Sequence, residues 1–116
     1  MQYPEQVSSV SSQQVIEIDN PLQVDYHNIK KASLILRSLN HKLRQQILRL
    51  IFEEKKITVT DIYVKLRLEQ SVASQHLAIL RKAGIVTTLR EGKFIYYAIN
   101  DKKVEAIKRF IADLVG

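Results

Sequence analysis

The chain has 116 residues, a net charge of +6 and no cysteine, which predicts one small domain without disulfides, thiolate metal sites or cysteine chemistry. No apolar run approaches the ~18–20 residues of a membrane span and no secretory leader pattern is present, so the expected location is the cytoplasm, with no membrane partner. No Lys or Arg precedes Lys30, and residues 30–116 carry 18 basic against 8 acidic residues, a net of +10. Such a basic body suits a polyanionic partner.

Residues 1–24 are expected to form a mobile acidic and polar tail. Ser8-Ser-Val-Ser-Ser-Gln-Gln14 has too few bulky apolar groups to offset its ordering entropy, although Val15-Ile-Glu-Ile18 could form a short strand. A domain over 25–116 follows. Ile29, Ala32, Leu36 and Leu39 recur at helical spacing, and Ser38-Leu-Asn40 supplies a break and a candidate N-cap. A second helix from His41 to about Phe52 places Leu43, Ile47, Leu50 and Ile51 on one face, with Lys42, Arg44 and Arg49 on the other.

Thr58-Val-Thr-Asp61 opens a third helix, because a threonine hydroxyl accepts from first-turn amides and Asp61 suits the positive helix end. Ile62 and Leu66 point inward. Arg67-Leu-Glu69 is a connector of helix-turn-helix length. In the fourth helix, about Ser71 to Lys82, Ala73, Leu77 and Leu80 form the buried stripe, while Ser71, Ser74, Gln75, Ala78 and Lys82 face away. Gly84 fits the left-handed position past a helix end, with Ile85 closing over the core.

Two strands are expected at about Val86–Leu89 and Lys93–Ile99, joined through Arg90-Glu-Gly92, with Ile95, Tyr97 and Ile99 on one face of the second strand. Asn100 is a good N-cap for a last helix striped by Val104, Ile107, Ile111 and Leu114.

Enzymatic chemistry has little footing. The three histidines, His27, His41 and His76, lack a nucleophile elbow or a glycine-rich phosphate loop around them. Asp25-x-His27 with His41 could supply metal ligands, but both histidines sit at helix starts among polar neighbours, so no metal or other cofactor is expected. His76 lies beside the buried stripe and is read as a support for its helix rather than a ligand contact. Nucleic acid is the better fit. A helix N-terminus bearing Gln70, Ser71, Ser74 and Gln75 can enter a major groove about 12 Å wide, and a glutamine amide matches an adenine edge. Arg90 and Lys93 flank Gly92, giving a tight cationic tip able to reach an adjacent minor groove or phosphates.

Three motifs in order complete the pattern: Leu39-Asn-His-Lys-Leu-Arg-Gln-Gln-Ile-Leu48, Ser71-x-x-Ser-x-His-Leu-x-x-Leu-Arg-x-Ala-Gly-Ile-Val86, and Arg90-Glu-Gly-Lys-x-x-Tyr-Tyr97. Together they resemble the ArsR family of bacterial winged-helix repressors over roughly residues 30–112. The resemblance implies a homodimer paired through its first and last helices, bound to a palindromic operator. The apolar stripes of those helices are compatible with that pairing, with Ile29, Leu36, Val104, Ile107, Ile111 and Leu114 as interface residues.

Departures limit what carries over. The Cys-x-Cys metal pair of many members corresponds to Thr58 and Thr60, and residues 101–115 lack histidine. Metal sensing is therefore not implied. Glu69 stands where the family prefers Ser or Thr, and Ala78 where lysine is common.

The expectation is a mainly α winged helix-turn-helix: about five helices plus a two-stranded β-hairpin wing, forming a homodimer. It would be a sequence-specific transcriptional regulator, a repressor and not an enzyme. Its partners are double-stranded operator DNA and a second copy of itself, and the sequence names no inducer. The DNA-facing residues are Gln70, Ser71, Ser74, Gln75, Lys82, Arg90 and Lys93. The alternative is a winged helix used for protein contact alone.

Overall fold

A computed structural model describes residues 21–116; the expected strand at 15–18 and most of the expected tail fall outside them. The elements are α1 (Tyr26–Leu39), α2 (Lys42–Glu54), β1 (Ile57–Thr58), α3 (Val59–Leu66), α4 (Gln70–Lys82), β2 (Val86–Glu91), β3 (Phe94–Ile99) and α5 (Asp101–Val115). Two units divide the chain within α1, at Leu36 and Arg37.

In the first unit, the helix start is tied by Asp25, whose Oδ1 accepts from the His27 amide at 2.9 Å and whose carbonyl accepts from Ile29 N at 3.0 Å. Ile29 and Leu34 are exposed.

The second unit carries the core. Ile47 and Ile51 from α2, Ile62 from α3, and Ala73, Leu77 and Leu80 from α4 are fully buried, joined by Ile57, Ile85 and Val86 at the strand ends. The predicted stripes of α2, α3 and α4 thus converge on one apolar centre, which fixes the faces these helices turn outward.

Arg44 departs from expectation. It is buried, with 9% exposure, and does not share the outer face with Lys42 and Arg49. Arg44, Ile47 and Ile51 are spaced three and four apart, so the guanidinium lies on the buried stripe itself. It is accommodated because Nε donates to the Ser38 carbonyl at 2.7 Å and Nη2 to the Arg37 carbonyl at 3.4 Å.

Helix ends follow local chemistry. Thr58 Oγ1 accepts from Asp61 N at 3.2 Å, as predicted. The α2 cap is His41 rather than Asn40: its Nδ1 accepts from Leu43 N at 3.2 Å and Arg44 N at 3.4 Å. Arg67 adopts the left-handed conformation (φ 57°) at the α3 end, and its amide donates to Tyr63 and Val64.

Gly84 closes α4 with φ +79°. Its amide donates to Arg81 O at 2.9 Å and the Ile85 amide to Leu80 O at 3.0 Å, the two bonds of a Schellman motif, with Ile85 and Leu80 both buried. A β-carbon here would meet only the flexible Lys103 Cε, at 3.3 Å, so the backbone conformation sets the penalty. Gly84→Ala is expected to lower stability by about 1–2 kcal/mol in urea denaturation.

The sheet has three strands and not two, in the order β1-β3-β2, all antiparallel. Ile57 pairs with Tyr97 and Thr58 with Tyr96, so the residues just before α3 add a short strand to the hairpin. Val86 pairs with Ile99 and Glu91 with Phe94, leaving Gly92-Lys93 as a two-residue loop. Arg90 and Glu91 therefore belong to β2, not to the connection. Gly92 has φ +62° at the first loop position, where a type II′ hairpin turn requires a positive value. Lys56 Nζ reaches both Glu91 carboxylate oxygens, at 2.6 and 2.7 Å, and lies 5.0 Å from the Tyr96 ring centroid. The hairpin is thus braced against the segment that follows α2.

Asn100 joins two elements. Its Oδ1 caps α5 by accepting from Lys103 N at 3.3 Å, Nδ2 donates to the Gly84 carbonyl at 3.0 Å, and its amide donates to Ile85 O at 2.8 Å. No α5 side chain is fully buried, and Leu114 is 65% exposed. An open groove of about 480 Å³ lies between α2 and α5, walled mainly by Leu48, Phe52, Ile85, Val104, Ile107 and Ile111.

Candidate nucleic-acid interface

The connector Arg67-Leu-Glu69 places α4 after α3, and burial of Ala73, Leu77 and Leu80 fixes its rotation about its own axis. Ser71, Ser74, Gln75, Ala78 and Lys82 are consequently exposed, as the spacing predicts, and so is Gln70. Gln70 and Ser71 stand in the first turn, with Ser74 and Gln75 one turn on. Glu69 occupies the N-cap but makes no side-chain capping bond. The first-turn amides of α4 therefore have no acceptor from the Glu69 carboxylate, which also places a negative charge beside that turn.

The hairpin continues from α4 through Ala83, Gly84 and Ile85. Arg90 is exposed near the end of β2, and Lys93 is exposed in the loop, its Nζ 5.5 Å from the Phe94 ring centroid. Phe94 and Ile95 are also exposed at the start of β3. The wing thus presents cations interleaved with an aromatic edge. Phosphate oxygens and deoxyribose offer the matching chemistry.

Among the expected pairing residues, Ile29, Ile111 and Leu114 are exposed, and Leu36, Val104 and Ile107 are half-buried. The candidate metal ligands have other uses: Asp25 Oδ1 binds the His27 amide, and His41 Nδ1 caps α2. Among the described residues there is no group of three or more His, Cys, Asp or Glu side chains able to hold a metal ion. No helix among them is long and apolar enough to cross a membrane.

Sequence reasoning missed two features. One is an open basic cleft of about 610 Å³ between α2 and the end of α3, lined by Lys42, Arg49, Lys65 and Arg67, with Glu53 as its acidic member. Its cations lie up to 25 residues apart, so only the packing of α2 on α3 reveals it. The other is a cluster behind α4. Arg44 Nη1 lies 3.2 Å from His76 Nδ1, and the His41 and His76 rings are 4.8 Å apart between centroids, tilted by 49°. A guanidinium has donors only, so His76 Nδ1 accepts and its ring is neutral with the proton on Nε2.

Burial, then the neighbouring His41 and the Arg44 guanidinium, hold the His76 pKa below the ordinary 6.5. In the interval between the lowered value and 6.5 the unfolded chain binds more protons than the folded one. Stability from this group is fully present above 6.5 and is lost as pH falls through the folded value.

Known proteins match this arrangement. The sequence profile of the bacterial regulatory protein arsR family covers residues 41–88. The transcriptional repressor PagR of Bacillus anthracis is 33% identical over 89 residues, spanning 77% of this chain and 89% of the relative. The transcriptional activator HlyU of Vibrio cholerae serotype O1 is 34% identical over 86 residues, spanning 74% and 79%. The crystal structure of PagR superposes with a TM-score of 0.61 at 34% identity, covering 74% of this chain and 98% of that one. The chain therefore belongs to the arsR family of bacterial regulatory proteins and is a DNA-binding, winged-helix transcription regulator.

Proposed function

We propose that the protein represses transcription by binding a palindromic operator as a homodimer, with α4 in the major groove and the wing on flanking DNA. The exposed polar face of α4 carries this reading, because burial of the opposite stripe leaves Ser71, Ser74 and Gln75 turned outward beside a cationic hairpin. Two copies related by two-fold symmetry would address half-sites about 34–36 Å apart, one DNA turn. Occupancy of the promoter then excludes polymerase. Any signal acts by biasing a DNA-competent against an incompetent geometry of the pair.

Gln70, Ser71, Ser74 and Gln75 serve base edges and nearby phosphates in this reading, while Lys82, Arg90 and Lys93 serve phosphates. A duplex enriched by in-vitro selection from random-sequence DNA provides the test. Gln75→Ala is expected to relax preference at one base position by about 1–3 kcal/mol. Lys93→Ala is expected to weaken selected and scrambled duplexes alike, lowering the logarithmic salt slope by about 1. Weak, salt-insensitive binding unaffected by either substitution would instead support a protein-contact role for the winged helix.

A further inference from the structure

We propose that His76 is a positioning residue for DNA recognition: through Arg44 it locks α4 onto α2 only while its Nδ1 is unprotonated, so acid loosens the DNA-reading helix. The inference rests on α4 being the element that enters the groove.

The cluster has a fixed side and a responsive side. Arg44 is held by the Ser38 carbonyl at 2.7 Å and the Arg37 carbonyl at 3.4 Å, which anchors it to the end of α1 independently of α4. Its remaining donor, Nη1, reaches across to His76 Nδ1 at 3.2 Å. His76 is half-buried on the flank of α4, between the apolar stripe and the outward face, and is next in sequence to Gln75. A displacement of α4 at this point therefore moves a residue assigned to base reading.

Protonation of His76 removes the acceptor and puts a second cation beside the guanidinium. Arg44 cannot withdraw without leaving two carbonyls, so the response falls on α4. Among the described residues the titratable and charged groups facing His76 are Arg44 of α2 and His41 at the α2 cap, whose ring lies 4.8 Å away with Nδ1 engaged by the Leu43 and Arg44 amides. The α1 end contributes carbonyls only. Along α4 itself, the residues three and four positions away are Val72, Ala73, Ile79 and Leu80, which carry no charge. Among the described residues no carboxylate acts on His76 to accommodate an imidazolium, and its lowered pKa is consistent with that surround.

The experiment uses the full chain, a duplex selected at about pH 7.5, and a scrambled duplex, with affinities measured at constant ionic strength at about pH 7.5 and about pH 5. The wild-type chain is expected to lose about tenfold in affinity for the selected duplex on acidification, without an equal loss for the scrambled one. His76→Asn keeps an acceptor atom near the Nδ1 position but does not titrate. It is expected to bind within about threefold of wild type at the higher pH and to show no selective acid loss. His76→Phe offers no acceptor and is expected to bind the selected duplex about tenfold more weakly at both values.

Identical acid responses in wild type and His76→Asn would overturn the proposal, as would undiminished binding by His76→Phe. Should a variant fail to fold, nitrogen NMR of the wild-type imidazole still decides. The Nε2–H tautomer supports the Arg44 link at neutral pH, whereas a proton on Nδ1 defeats it and leaves the DNA reading standing. Failure of the wild-type chain to enrich any duplex would sink both.

Discussion

A chain carrying glutamate at both Ile107 and Ile111 is expected to sediment as a monomer and to bind its selected duplex at least about a hundredfold more weakly than the parent. Neither side chain belongs to the buried core of the unit, and Ile111 is 37% exposed. The substitutions should therefore leave the fold intact, and circular dichroism should be unchanged. Their effect falls on the apolar stripe of α5 and the groove it forms with Leu48 and Phe52 of α2. Packing that stripe against a second copy would remove it from water, and two carboxylates buried there without partners would strongly oppose association. In the proposed dimer, losing the second chain would separate two half-site contacts that act at high effective concentration, which sets the hundredfold scale. An unaltered sedimentation mass would rule out pairing through α5.

Arg44→Met should produce the largest loss of folding stability among polar substitutions, about 2–3 kcal/mol. Methionine fills much of the same volume without polar atoms, so the loss reports the acceptors left behind. The Ser38 carbonyl, on a residue 3% exposed, loses its 2.7 Å donor and His76 Nδ1 loses its 3.2 Å one, while the Arg37 carbonyl loses the guanidinium but keeps the Asn40 amide at 3.2 Å. In a domain of this size the change corresponds to a fall of about 10 °C or more in Tm. Lysine should recover part of it, since one ammonium can reach the nearest carbonyl but lacks the planar fork that serves three acceptors at once. A methionine variant melting within about 2 °C of the parent would show that the three bonds contribute little.

Arg44 also marks where sequence reading stops. Lys and Arg are so seldom buried that a charge beside an apolar stripe is assigned to solvent by default, although the three-and-four spacing to Ile47 and Ile51 pointed inward. The expected α2 cap lies within Ser38-Leu-Asn40 for a similar reason: serine and asparagine are common caps and an imidazole is not, yet His41 Nδ1 takes the bonds. β1 was illegible because two residues cannot show alternation, and its pairing with Tyr96 and Tyr97 spans about 40 positions of chain.

Features generated by local chemistry were readable. Thr58 and Asn100 cap the helices they precede, Gly84 closes α4, and Ala73, Leu77 and Leu80 are buried. The outward face of α4 followed directly from that stripe. The basic cleft and the cluster behind α4 did not, since each needs side chains from separate helices.

The three bonds of Asn100 have a mechanical meaning. A single side chain pins the far end of α4, at the Gly84 carbonyl, to the first turn of α5. A tilt of α5 relative to its mate would therefore be passed to α4 with little slack, altering the separation of two half-sites rather than the shape of either. In the proposed dimer, a stimulus acting on α5 would release a promoter from some distance, leaving the outward side chains of α4 as they were.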